Sequence, residues 1–432
     1  MAGGPGATPR ERSALSIGRA LDSRYAGRMG LRSIVLSSII AWLTCCQAAE
    51  VEGPNYILGT QAIGGKYQFT SEHPLIESAR VILEMGATTM KFALGRGGYD
   101  DPGSNSLATL AKENPAYRKV FDLPFAHYQI WANAAQEANW KDGLSPLHSA
   151  HEYQELYDLT AYLLTAYSGT GKQFFLGHWE GDNMLRGDIS TDGDAKMSPT
   201  RVQGFIDWLQ VRQRAVDDAK RDTPHANVEV WHYTEVNHPT ISLRGDRPTL
   251  TNRVLPHVAV DFVSYSAYDA SDDPEILKAS LDYIESKLAP KPAISGKRVF
   301  IGEYGFKTFD AGQVFNTPER QNERCLAVIQ AGLEWGCPFI LYWELYNNEI
   351  DAAGKHRGFW MIDHRGVPQP VYETHRAYYA WARQLTESVA KKTGKPPSLD
   401  EFRVAAIEYI SRYRSGLRPV PPGARPDGSQ RN

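Results

Sequence analysis

From residue 56 onward the chain alternates short apolar runs with longer segments whose apolar residues recur every three or four positions. The first pattern predicts strands buried on both faces; the second predicts amphipathic helices. Strands are expected over 56–62, 88–94, 126–132, 173–180, 228–233, 261–268, 299–306 and 339–344. Helices are expected between them, over 72–85, 107–120, 150–167, 199–220 and 370–386. Two more are marked by their starts. One has Pro274 in its first turn and Leu277, Leu281, Ile284 and Leu288 along one face; the other opens at Thr317-Pro318 and carries Leu326, Ile329 and Leu333. Proline fits a first helical turn because the N–H it lacks has no intrahelical partner there. Strands alternating with helices eight times over predict an α/β protein with a (β/α)8 TIM-barrel domain. No Gly-rich phosphate fingerprint follows the first strand, which argues against a nucleotide-binding fold.

The two ends read differently. Residues 1–49 are expected to be a leader and signal peptide, with Met29 as the expected start, Ser33–Thr44 as the apolar stretch and Gln47-Ala48-Ala49 supplying small residues for cleavage. That stretch is too short to span a membrane comfortably. Secretion or periplasmic export is the main expectation. Leu43-Thr44-Cys45-Cys46 loosely resembles a bacterial lipoprotein site, which makes a lipid anchor the lesser alternative. The barrel domain is expected over 50–390. Beyond it, 391–432 should hold one amphipathic helix (399–413) and a Pro/Gly/Arg-rich tail predicted to be disordered.

Composition narrows the partners. A net charge of -3 gives no general field for nucleic acid or an acidic membrane. Ten Trp, several at predicted strand ends, favour a ligand with flat faces such as a sugar ring. Outside the leader only Cys325 and Cys337 remain. Two cysteines make no disulfide framework, and buried free thiols are expected.

The chemistry sits at the C-terminal tips of the predicted strands, where a βα-barrel gathers its reactive groups. Val299-Phe300-Ile301-Gly302-Glu303 is an apolar run that ends in a lone carboxylate. Glu180 ends the fourth strand, Glu235 lies just past the fifth, Asp269 follows the sixth and Glu344 the eighth. Hydrolysis of a glycosidic bond with retention needs two carboxyl groups about 5 Å apart, one as nucleophile and one as acid/base.

Carboxylates ending the fourth and seventh strands of an eight-fold barrel resemble the clan A glycoside hydrolases, over roughly residues 56–390. The resemblance implies a retaining two-glutamate mechanism on a β-linked glycan or glycoside, with Glu180 as acid/base and Glu303 as nucleophile. It implies that Tyr268 hydrogen-bonds the nucleophile, that Trp343 is the platform under the sugar and that Arg96 lies near the nucleophile. It also implies an oligo- or polysaccharide partner and neither metal nor organic cofactor. One position departs from the pattern: Trp179 stands where the clan has Asn before the acid/base. His178 or Asn183 is the expected substitute for that polar contact, and Trp179, His232 and Glu344 complete the expected sugar-binding set.

Alternatives stay open. Glu235 replaces Glu180 if the latter is structural. A non-catalytic carbohydrate-binding barrel is the second reading, and a hydrolase with a metal held by His178, His232 and a carboxylate is the third.

Overall fold

Eight parallel strands close into a barrel in the computed structural model, which describes residues 54–95, 105–135 and 138–417. They are β1 (Leu58–Ala62), β2 (Thr89–Gly95), β3 (His127–Asn133), β4 (Gln173–Gly177), β5 (Glu229–Val236), β6 (Phe262–Ser266), β7 (Val299–Tyr304) and β8 (Ile340–Tyr342). Each pairs with the next, and β8 pairs back onto β1 through Leu58 opposite Ile340. The expected TIM barrel is therefore the observed fold. The leader, Arg96 and the tail from Arg418 lie outside the described residues. Among those described, no helix is long and apolar enough to cross a membrane.

The helices are α1 (Pro74–Met85), α2 (Leu107–Glu113), α3 (Pro115–Asp122), α4 (Pro146–Ala166), α5 (Gly181–Arg186), α6 (Thr191–Lys196) and α7 (Pro199–Asp222). They continue with α8 (Pro239–Gly245), α9 (Leu250–Arg253), α10 (Pro274–Glu285), α11 (Pro318–Trp335), α12 (Pro370–Thr393) and α13 (Leu399–Arg414). Most of the long ones open on a proline behind a capping side chain. Ser145 caps α4, Ser198 caps α7, Asp273 caps α10 and Thr317 caps α11.

Several boundaries differ from expectation for local reasons. The helix expected over 107–120 is two, because Pro115 cannot donate and Asn114 turns to cap the second, its side chain accepting from Ala116 N at 2.9 Å. α4 starts four residues early, at the Ser145-Pro146 cap. α12 runs on to Thr393, where Gly394 in the left-handed region (φ 80°) ends it. α5, α6, α8 and α9 fill loops after β4 and β5 and are too short to show a period in sequence. The fourth strand stops at Gly177, short of Glu180, and the sixth at Ser266, short of Tyr268.

Two apolar layers follow from strand alternation. Ala93, Trp131, Phe175, Tyr233, Phe300 and Leu341 fill the barrel. Phe92, Ile130, Phe174, Val263, Ile301 and Ile340 face the helices. Cys325 and Cys337 are buried free thiols in that outer layer. α12 packs on α1 and α11 and so completes the ring. α13 lies on α11, with Phe402 stacked on Tyr56 at 5.8 Å.

One irregularity decides the site. Opposite β7, the pairing steps from Ile301 to Tyr304 while β8 steps only from Ile340 to Tyr342, and a shift recurs against β6. The extra residue is a bulge, and it lets Gly302 and Glu303 both turn inward. A Cβ at Gly302 would lie 1.8 Å from Ser264 Oγ. Gly302→Ala is accordingly expected to cost about 1–3 kcal/mol by overpacking. The check is urea unfolding against the native protein, and equal midpoints would refute this account of the bulge.

Candidate active site

Lys91 is the centre of the barrel mouth. It sits on β2 between Thr89 and Ala93, in register with Gln61 on β1 and Gln129 on β3, and is fully buried. Its ammonium donates to Glu303 Oε1 at 2.8 Å, to Glu235 Oε2 at 2.9 Å and to the Gly302 carbonyl at 3.3 Å. It also lies 4.5 Å from the centre of the Trp131 ring. Burial opposes its charge, but the two carboxylates outweigh burial and hold its pKa above the ordinary lysine value. Gln61 Nε2 donates to the Gly302 carbonyl at 3.0 Å, so two side chains fasten the bulge that aims Glu303.

Glu235 is the next-to-last residue of β5, on the inward side two residues after Tyr233, and is fully buried. Its oxygens accept from Lys91, from Ser264 Oγ at 2.7 Å and from the backbone N–H of Glu180 at 3.0 Å. That last bond draws the segment after β4 across the mouth. Asp182 fastens the same segment, accepting from Leu250 N at 2.7 Å and Asn237 N at 3.1 Å, while its own N–H donates to Asn237 Oδ1 at 3.0 Å.

Glu180 thus stands at the N-cap of α5 and not within a strand. Asn183, one turn on, donates from Nδ2 to Glu180 Oε2, and its Oδ1 pairs with His238 Nε2 at 3.0 Å. Burial raises the Glu180 pKa to about 9, with Glu303 and Glu235 adding to the rise. Burial likewise raises Glu303, to about 7, against the pull of Lys91. Tyr268 lies in the turn after β6, partly exposed, and donates to Glu303 Oε2 at 3.3 Å. Asp269 pins that turn by accepting from Thr240 and from Tyr265 OH.

Trp343 is buried beneath the mouth and packs on Trp131 with ring centres 6.2 Å apart. Trp179 stands at the rim, 44% exposed. Trp179 and Asn183 line one cavity with Trp131, and Asn183 joins Glu180 while Tyr268 joins Glu303 at the mouth. Glu344 is fully buried beside it, but its oxygens are taken by the backbone N–H groups of Asn348 (2.9 Å) and Ile63 (3.4 Å), which tie the β8 tip to the end of β1.

His178 and His232 are placed elsewhere. Both fall on the outward phase, His232 within β5 in step with Val230 and His178 one residue past β4 in step with Leu176. His178 bonds Thr234 Oγ1 at 2.7 Å and packs on Phe205 and Trp208 of α7. His232 pairs with Gln213 Oε1 at 3.2 Å and lies against Arg212, also on α7. Burial lowers the pKa of both, His178 to about 4. Neither reaches the carboxylates, and among the described residues no three His, Cys, Asp or Glu side chains form a metal-binding group.

Sequence reasoning passed over Lys91, and the period-2 alternation that sets Thr89, Lys91 and Ala93 on the inner face was the available signal. The same parity separates inward Glu235 from outward His232. A cavity of about 660 Å3 adjoins the mouth on the Asn183 side. Another, about 690 Å3, lies at the opposite end of the barrel around His127, Phe339 and Phe402, away from the three glutamates.

Comparison with known proteins found no matching family model and no match among curated proteins. Solved structures do match in fold. A subfamily 18 member of glycoside hydrolase family 5 from Streptomyces cattleya, in complex with Manb1-4GlcNAc, is 13% identical; the match covers 84% of this chain and 92% of that one, with TM-score 0.50. A family 39 glycoside hydrolase from Bacteroides cellulosilyticus WH2 is 14% identical over 75% of this chain, with TM-score 0.46. An exo-beta-1,4-mannosidase from Opitutaceae bacterium strain TAV5 is 13% identical over 75%, with TM-score 0.48. The match spans 63% of the length of the family 39 enzyme and 59% of the mannosidase. At these identities the likeness is one of fold: the chain shares the eight-stranded barrel of these proteins.

Glu180 and Glu303 each hold a proton more tightly folded than unfolded. The stability they contribute is therefore complete below the ordinary carboxylate range and is lost as pH climbs through about 7 and about 9. The unfolding temperature of the free protein is expected to fall from about pH 5 to about pH 9, and Glu180→Gln to flatten the upper part of that fall. Calorimetry across this range checks it, and a Glu180→Gln curve parallel to the native one would contradict it.

Proposed function

We propose that the protein is a retaining glycoside hydrolase acting on a β-linked glycan or glycoside, with Glu303 as nucleophile and Glu180 as acid/base. The observation that carries this is the unequal environment of the two glutamates. Glu303 has a buried ammonium on one oxygen and a phenol on the other, while Glu180 has no cation on it and a pKa raised to about 9. Two carboxyls whose surroundings push their protonation apart are the requirement for nucleophile and acid. Glu303 attacks the anomeric carbon as the glycosidic C–O bond breaks, and the Glu180 proton goes to the leaving oxygen. Glu180, now a carboxylate, takes a proton from water as that water displaces Glu303. Glu235 is assigned to scaffolding, because its two oxygens already accept from Lys91, Ser264 and the Glu180 backbone. Export through residues 29–49 belongs to the same reading.

A second reading, a carbohydrate-binding barrel without turnover, is favoured by Trp179, which leaves no polar side chain directly before Glu180. The two separate on variants. Glu303→Gln is expected to abolish turnover of an aryl β-glycoside while keeping saccharide binding. Glu180→Gln should lower kcat/KM about 10²–10⁴-fold on alkyl or sugar leaving groups and far less on dinitrophenyl glycosides, which leave without a proton, while kcat falls on both because the second step loses its base. Hydrolysis undiminished in Glu303→Gln, or absent from the native protein on a broad glycoside panel, would refute the hydrolase.

The pH profile gives a separate check. kcat/KM should rise as Glu303 loses its proton near about 7 and fall as Glu180 loses its proton near about 9. Removing the ammonium in Lys91→Met raises the Glu303 pKa further, so the rising limb moves to higher pH. A limb that stays in place would show that Lys91 does not set the nucleophile's charge.

A further inference from the structure

We propose that the cavity beside Glu180 is a binding site for a second sugar ring of the substrate; this rests on the glycosidase reading and adds a subsite to it. The cavity, about 660 Å3, falls in the size range of small-ligand sites. Its position is set by two shared walls. Asn183 lines it and donates to Glu180, and Trp131 lines it while packing on Trp343 and facing the Lys91 ammonium. A ring here therefore adjoins the ring held at Glu303.

The lining chemistry selects the ligand. Trp131, Trp140, Trp179 and Trp208 supply indole surfaces for the C–H faces of a pyranose. The buried indole N–H groups of Trp131 and Trp208 have no hydrogen-bond partner. Each is a donor left without an acceptor, which a sugar hydroxyl oxygen satisfies and a purely aromatic group does not. Charge is balanced at the inner wall. Arg212 pairs with Glu152, donates at 3.0 Å to the carbonyls of both Ala132 and Gly177, and lies 4.9 Å from the Trp208 ring centre. Its donors are thus committed to the protein, and Lys141, which also lines the cavity 5.8 Å from the Trp140 ring centre, is the other cation at it.

The test uses the full chain carrying Glu303→Gln, titrated by calorimetry. The ligands are cello-, manno-, xylo- and galacto-oligosaccharides of two and three β-linked residues, with the matching methyl monoglycosides and phenyl glycosides. At least one oligosaccharide is expected to bind at least about tenfold tighter than its monoglycoside. Adding Trp208→Phe, which keeps an aromatic ring but removes the N–H, should weaken that oligosaccharide about fivefold or more and leave the monoglycoside unchanged. Trp179→Ala, at an exposed position where folding is not at stake, should weaken it as well. Equal affinity for one ring and two, absence of oligosaccharide binding, or no loss in both variants would overturn the proposal. Tightest binding of phenyl glycosides, insensitive to Trp208→Phe, would assign the cavity to an aromatic group and overturn it too. The glycosidase reading is judged separately, by turnover of aryl monoglycosides with Glu303 intact, which needs only the cleavage subsite.

Discussion

The mouth of this barrel depends on one buried ammonium shared between two carboxylates. Lys91 has no exposure to water, and burying an isolated cation is costly enough that it would give up its proton instead. Glu235 and Glu303 prevent that, and they in turn are kept from repelling each other by the charge between them. Removing Lys91 leaves two buried carboxylates side by side without a cation, in a medium that screens poorly. The three side chains come from β2, β5 and β7, so the ion cluster also pins strands that are not neighbours in the barrel.

From that cluster the rest of the site is built outward. Glu235 spends one oxygen on the backbone N–H of Glu180, so a residue that is not on a strand is still held by the barrel. Asp182 and Asn237 add a second pair of bonds across the same gap. The bulge at Gly302 supplies the other half, turning Glu303 inward where strict alternation would have pointed it at the helices. A site positioned by strand tips and buried hydrogen bonds is more rigid than one carried on loops alone.

Three glutamates face one lysine, and Glu180, which has no cation on it, holds its proton more tightly than Glu303. Burial raises both Glu180 and Glu303, yet the ammonium on Glu303 separates them. The difference between the two residues is thus written less in their own positions than in Lys91, a residue on another strand.

The apolar runs and amphipathic periods of the chain determined the eight strands, most of the helices and the barrel itself, because burial on one or both faces imposes a period that any reader of the sequence can see. They also placed Glu303 and Glu180 near strand tips. What they left undecided was direction. Whether a residue near a tip faces the mouth or the helices depends on strand phase and on bulges, which are settled by pairing with neighbours far away in sequence. His178 and His232 looked outwardly similar to site residues but lie on the wrong phase, against α7. Lys91 is an ordinary lysine in sequence, and only closure of the barrel brings it to Glu235 and Glu303, 144 and 212 positions further along the chain.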